Sequence, residues 1–180
     1  LWRHSRAAPA EFSIRGAAEP VPAGDTVYAG FADGHVVALA AKDGTLLWDR
    51  ELPARGDGRG SDYRDVDGLA LGADYLYAAS YRSGLYALEP GTGGVVWLGE
   101  APGATSVKLW GPRVFVAGAR GAAAFRRADG AKLWGFPLAR ERTVVGLDAA
   151  AGIVALALDG GPLVLLDAAT GKPLGAFDPG

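Results

Sequence analysis

Residues 87–97 read Ala87-Leu88-Glu89-Pro90-Gly91-Thr92-Gly93-Gly94-Val95-Val96-Trp97. An apolar run ends, a Pro/Gly/Thr segment turns the chain, and a second apolar run closes on tryptophan. This is the pattern of two short antiparallel strands joined by a tight turn, with Thr92-Gly93 supplying the positive φ that such a turn needs. Upstream, Leu76-Tyr77-Ala78-Ala79 and Leu85-Tyr86-Ala87-Leu88 form the preceding runs. The same series stands 49 residues earlier as Val27-Tyr28-Ala29-Gly30-Phe31, Val36-Val37-Ala38-Leu39 and Asp43-Gly44-Thr45-Leu46-Leu47-Trp48. A third copy comprises Val114-Phe115-Val116-Ala117-Gly118, Ala123-Ala124-Phe125 and Asp129-Gly130-Ala131-Lys132-Leu133-Trp134. A fourth comprises Ile153-Val154-Ala155-Leu156, Leu163-Val164-Leu165-Leu166 and Thr170-Gly171-Lys172-Pro173-Leu174-Gly175, with glycine where tryptophan stood. Leu1-Trp2 reads as the tail of a preceding unit.

The tryptophans at positions 2, 48, 97 and 134 are 46, 49 and 37 residues apart. That spacing is close to the roughly 40–50 residues of a propeller blade. Short Val-, Leu-, Tyr- and Phe-rich runs punctuated by Asp-Gly and Thr-Gly predict four-stranded antiparallel sheets repeated radially, and no window sustains a long helical period. The expected fold is therefore all-β, a propeller fragment of about four blades, with approximate repeats 1–48, 49–97, 98–134 and 135–180. A sheet apolar on both faces cannot bury itself alone, so blades must stack. Trp48, Trp97 and Trp134 are expected to be largely buried at blade interfaces, each packing on a neighbouring glycine-rich turn. Gly44, Gly93 and Gly130 are the turn glycines, where a missing Cβ allows close approach.

Composition narrows the chemistry. The 180 residues carry 18 basic and 20 acidic side chains, 49% apolar residues, two His and no Cys or Met. Without a thiol there is no disulfide framework, cysteine nucleophile, thiolate metal site or haem-attachment motif. A net charge of -2, with signs mixed along the chain, gives no footprint for nucleic acid or an anionic membrane. The longest apolar stretch, 149–158, falls well short of the roughly 20 residues of a spanning helix. The chain opens on Leu1 rather than Met, so the authentic N-terminus, with any signal or lipid anchor, is expected outside it.

The 87–97 stretch resembles the tryptophan-docking motif A-x-D-x-x-T-G-x-x-x-W of PQQ-like β-propeller repeats, with Ala38–Trp48 and Ala124–Trp134 as weaker copies. Two further segments resemble the BamB family of outer-membrane lipoproteins. Phe12-Ser13-Ile14-Arg15-Gly16 is similar to its L-x-L-R-G segment, and Asp65-Val66-Asp67 to its D-V-D segment. Tyr81-Arg82-Ser83-Gly84-Leu85 is similar to its Tyr-Asn-Gly-Asn-Leu hairpin. The resemblance implies a non-enzymatic periplasmic scaffold without a cofactor, anchored to the outer membrane by a lipid outside this segment. It also implies docking on a periplasmic POTRA domain of BamA, and contact with unfolded outer-membrane proteins. Carried over residue by residue, the partner-binding set is Phe12, Ile14 and Arg15 with Asp65 and Asp67. In an extended segment Phe12 and Ile14 share one side, while Asp65 and Asp67 share a side opposite Val66, where paired carboxylates can hold a guanidinium. Read from the residues alone, without the resemblance, Phe12 and Ile14 are better taken as core residues and the aspartates as turn caps.

Catalytic readings find little support. Asp33, Asp43, Asp57, Asp67, Asp129 and Asp159 each precede glycine, as turn residues do. The 56–62 loop lacks the Lys-Ser/Thr ending of a phosphate loop and the acid spacing of a calcium loop. Arg55-Gly56-Asp57 spells an adhesion tripeptide but sits in a Gly- and Arg-rich loop. The serines lack a nucleophile-elbow context. A PQQ-dependent dehydrogenase fragment is the competing class, and a ligand-sensing propeller a third. Against the dehydrogenase stand the absence of Cys for a vicinal disulfide and of Asn for a calcium site.

Overall fold

The computed structural model describes residues 1–6, 18–53, 66–139 and 142–178. They form sixteen strands in four sheets, each an antiparallel meander in chain order. Blade 1 comprises β1 (Val21–Ala23), β2 (Thr26–Gly30), β3 (His35–Ala40) and β4 (Leu46–Glu51). Blade 2 comprises β5 (Val66–Leu71), β6 (Leu76–Ser80), β7 (Gly84–Leu88) and β8 (Val95–Gly99). Blade 3 comprises β9 (Ala104–Trp110), β10 (Arg113–Gly118), β11 (Gly121–Arg126) and β12 (Lys132–Pro137). Blade 4 comprises β13 (Val144–Ala150), β14 (Ile153–Leu158), β15 (Leu163–Asp167) and β16 (Pro173–Phe177). Each fourth strand runs on past its docking position. Among the described residues no helix is long and apolar enough to cross a membrane.

The core lies between sheets rather than within them. One cluster joins Tyr28, Val36 and Ala38 of blade 1 to Leu76, Ala78 and Tyr86 of blade 2. A second joins Tyr77, Ala79 and Leu85 of blade 2 to Val114, Val116 and Phe125 of blade 3. A third joins Phe115, Ala124 and Trp134 of blade 3 to Val154, Leu156 and Leu166 of blade 4. Strands β6 and β7 are buried at every residue because both their faces meet a neighbouring sheet. This explains why they read as continuous apolar runs rather than alternating ones.

The tryptophans link the sheets in order. A Cβ on Gly93 would stand 2.6 Å from the Trp48 ring, and one on Gly130 or Gly171 would stand equally close to Trp97 or Trp134. Trp2 packs on Gly44 in the same way. Each ring also donates its Nε1–H to a carbonyl of that turn: Trp2 to Ala41 (2.9 Å), Trp48 to Pro90 (2.8 Å), Trp97 to Arg127 (3.0 Å) and Trp134 to Ala168 (3.1 Å). The four glycines have φ between 69° and 75°, a region that penalises any Cβ. Burial is uneven, since Trp134 is 8% exposed whereas Trp48 and Trp97 are half-buried on outermost strands. All three rings are nonetheless more buried than exposed, although each stands on the outermost strand of its sheet.

A β-bulge recurs between the third and fourth strand of every sheet, one residue short of the docking position. A bulge bends its strand and re-aims the side chain that follows. The skipped residues Leu47, Val96, Leu133 and Leu174 point outward and are exposed.

Candidate partner-binding rim

One rim of the fragment carries the β2–β3, β6–β7, β10–β11 and β14–β15 turns and the connections between blades. Loops at one end of stacked sheets are positioned by the sheets and free to vary in chemistry, which suits them to recognition. Phe12, Ile14, Arg15 and Asp65 lie outside the described residues. Their flanks are described. Ala18 donates its N–H to the Val66 carbonyl at 3.1 Å, and Val66 donates to the Phe31 carbonyl at 3.2 Å. The segments 7–17 and 54–65 therefore each rejoin the fold at one of two hydrogen-bonded residues. Val66 is fully buried against Gly30, whose missing Cβ leaves room for it.

Asp67 is half-buried in β5, at the bulge that separates the pairings of Val66 with Ser80 and of Gly68 with Ala79. The Tyr81–Leu85 hairpin stands on the same rim, where the Tyr81 carbonyl accepts the Gly103 N–H at 2.6 Å. Asp67 and this hairpin are thus brought together at the start of blade 2.

The same rim holds a charge network that sequence reasoning missed. Arg6 donates through Nε to Asp33 (2.6 Å) and through its terminal nitrogen to Asp49 (2.5 Å), and His35 Nδ1 lies 2.6 Å from the other Asp49 oxygen. The Arg6 guanidinium stands 6.0 Å from the Phe31 ring centre, and His4 meets that ring edge-on. Burial pushes the Asp49 carboxyl up, but hydrogen bonds from His35 and Arg6 outweigh it and hold the group below the ordinary carboxylate range. The legible signal was spacing: Arg6 stands four residues after Trp2, as Leu52 stands four after Trp48.

On the opposite rim Arg127 of blade 3 reaches blade 2, pairing with Asp74 and approaching the Tyr77 hydroxyl at 3.4 Å. Burial is the main cause that pushes the Tyr77 hydroxyl up to about 12, with the Asp74 carboxylate adding to it. At Asp74 burial acts upward, yet hydrogen bonds from Arg127 and the Tyr75 amide prevail and lower the carboxyl. Among the described residues no group of three or more His, Asp or Glu is placed to hold a metal ion.

Four meandering sheets joined by tryptophan-on-glycine docks define a PQQ-like repeat β-propeller fragment. A family model described as outer membrane protein assembly factor BamB matches residues 1–134. The chain belongs to that family. Similar curated relatives are the BamB assembly factors of Pseudomonas aeruginosa, 33% identical over 126 residues, and Alkalilimnicola ehrlichii, 32% identical over 162 residues. These alignments take in 68% and 86% of this chain but only 33% and 39% of the relatives, so the chain spans little more than a third of their length. Among solved structures, BamB from Moraxella catarrhalis superimposes with a TM-score of 0.84 at 26% identity, covering 98% of this chain and 54% of that one. A quinohemoprotein alcohol dehydrogenase from Comamonas testosteroni matches with a TM-score of 0.71 at 18% identity, covering 91% of this chain and 35% of that one, a likeness of fold alone.

Proposed function

We propose that this chain is part of a non-enzymatic periplasmic scaffold of the β-barrel assembly machinery. In this reading the parent protein is held at the outer membrane by an N-terminal lipid and docks on a BamA POTRA domain while barrel proteins, still unfolded, are inserted. Phe12, Ile14, Arg15, Asp65 and Asp67 form the docking patch. The observation that carries the reading is the Ala18–Val66 hydrogen bond, which gives the two segments bearing these residues neighbouring points of attachment. Family membership supports the assembly role, and the relatives are themselves called outer membrane protein assembly factors. An exposed ion pair contributes only about 0–1 kcal/mol to folding. Desolvated in an interface, the same charges matter more, and truncating one partner can cost about 2–5 kcal/mol of binding.

The test is capture of purified BamA POTRA domains by the full-length protein. Asp65→Ala with Asp67→Ala should weaken capture while the thermal melt stays cooperative. Arg15→Glu provides a second variant at a position outside β5. Unimpaired capture by both would reject the patch.

A further inference from the structure

The repeats allow the same interface to be compared at four places within one molecule. Three positions meet where blades pack near this rim. The first lies four residues after a docking tryptophan: Arg6, Leu52, Ala101 and Leu138. The second, on the next blade, directly follows the docking position: Asp49, Leu98, Gly135 and Ala176. The third is its cross-strand partner: Val37, Tyr86, Ala123 and Val164. Ahead of blade 1 the set is an ion pair, Arg6 with Asp49, beside Val37. Between blades 1 and 2 it is Leu52, Leu98 and Tyr86, apolar and filled, with the Tyr86 hydroxyl donating to the Pro53 carbonyl. Between blades 3 and 4 it is Leu138, Ala176 and Val164.

Between blades 2 and 3 all three positions are truncated, to Ala101, Gly135 and Ala123. The result is a cavity of about 220 Å³ opening at this rim, floored by Ala101, Ala104, Val116 and Ala123. Arg120 and Lys132 also line it, both exposed. The Lys132 side chain extends along β12 across Gly135, its Nζ 3.4 Å from where a Cβ would stand. Glu100 stands on the blade 2 side and has an interaction of its own.

We propose that this cavity is a binding site for a partner's aromatic side chain, carried on an extended peptide with a carboxylate beside it. Size argues for a single side chain, because pockets for whole small molecules run to about 300–1,000 Å³. Shape argues for an aromatic ring, since at the corresponding point between blades 1 and 2 the molecule places Tyr86. Charge argues for an adjacent carboxylate, since two cations stand at an apolar floor and their hydrogen bonds to a carboxylate are charge-assisted. An aromatic anchor in a dry pocket ringed by polar groups is the usual form of an interface hot spot. The site goes beyond the POTRA-docking reading and uses none of its residues.

The probe is acetyl-Glu-Phe-Glu amide, read by isothermal titration calorimetry against the full-length protein. Ala101→Leu restores the residue found at the neighbouring interfaces. It should lower affinity roughly tenfold or more while the melting temperature holds or rises. Arg120→Glu with Lys132→Glu should lower affinity comparably and remove most of its salt dependence. A peptide with Ala for Phe should not bind, and Asp65→Ala with Asp67→Ala should bind the probe as wild type does. Equal binding by the Ala101→Leu and wild-type proteins, or no wild-type binding, overturns the proposal. Phenylpropionate competing as well as the peptide overturns it in favour of a small carboxylate.

Discussion

Blades 2 and 4 are built from the same repeat, yet they sit in opposite circumstances. In blade 2 the two central strands are buried at every residue. In blade 4 the corresponding β14 alternates, with Val154, Leu156 and Leu158 turned toward blade 3 and buried while Ile153 is exposed. Its fourth strand is exposed throughout, and Phe177 stands 65% exposed. The difference is not in strand chemistry, for Ile153, Leu163 and Phe177 are as apolar as their counterparts. It lies in what covers the second face. Burial in this architecture belongs to pairs of blades, as expected where stability is a sum of unit and neighbour terms.

The contrast breaks first at the tryptophans. Trp97→Ala in the 180-residue chain should cost about 3–5 kcal/mol in a urea melt, toward the lower figure because the residue is not fully buried. Phe177→Ala on the uncovered face should fall within about 0.5 kcal/mol of wild type. An equal loss from both would show that the dock is not what holds blade 2 to its neighbours. The turn glycines give a smaller contrast. Gly93→Ala forces a Cβ into a positive-φ turn 2.6 Å from the Trp48 ring and should cost about 1–3 kcal/mol. By comparison Gly175→Ala, with nothing within 4 Å of its Cβ, should be neutral or slightly stabilising in the same melts.

The smallest effect concerns acid. The Asp74 carboxyl, paired with Arg127 across blades 2 and 3, is held below its ordinary value. A lowered carboxyl adds stability that is fully present above the unfolded value of about 4 and fades as pH falls through the folded one. Asp74→Asn should therefore flatten the acid limb of a stability–pH curve below about pH 4 and change little at pH 7 beyond the 0–1 kcal/mol of an exposed pair. An unchanged acid limb would mean that the pair contributes nothing to joining the blades.

Much of the fold was legible because it is written several times over. Turn glycines, apolar runs and tryptophans recur in order, and each copy corroborates the others, so the four-bladed all-β reading needed no single strong motif. The uneven burial of the tryptophans was not legible, since it depends on how each ring meets the edge of the next sheet. Arg6 was missed as part of a network because its partners Asp33 and Asp49 look like ordinary turn and strand residues until Trp2 docks on Gly44. Of the patch residues, Asp67 alone falls among those described, and the neighbouring positions of Ala18 and Val66 rest on a backbone hydrogen bond that side-chain identity does not encode.

The sequence by itself determined the unit: strand lengths, turn positions, the glycines that accept a ring and the tryptophans that supply one, all set by local sterics and the period of two. Tertiary structure alone decided the interfaces. Whether the position four residues after a tryptophan holds a charge, a leucine or an opening acquires meaning only against the next blade. Local propensity is blind to that contact, because the residues forming it lie 34 to 46 positions apart and meet only when sheets stack.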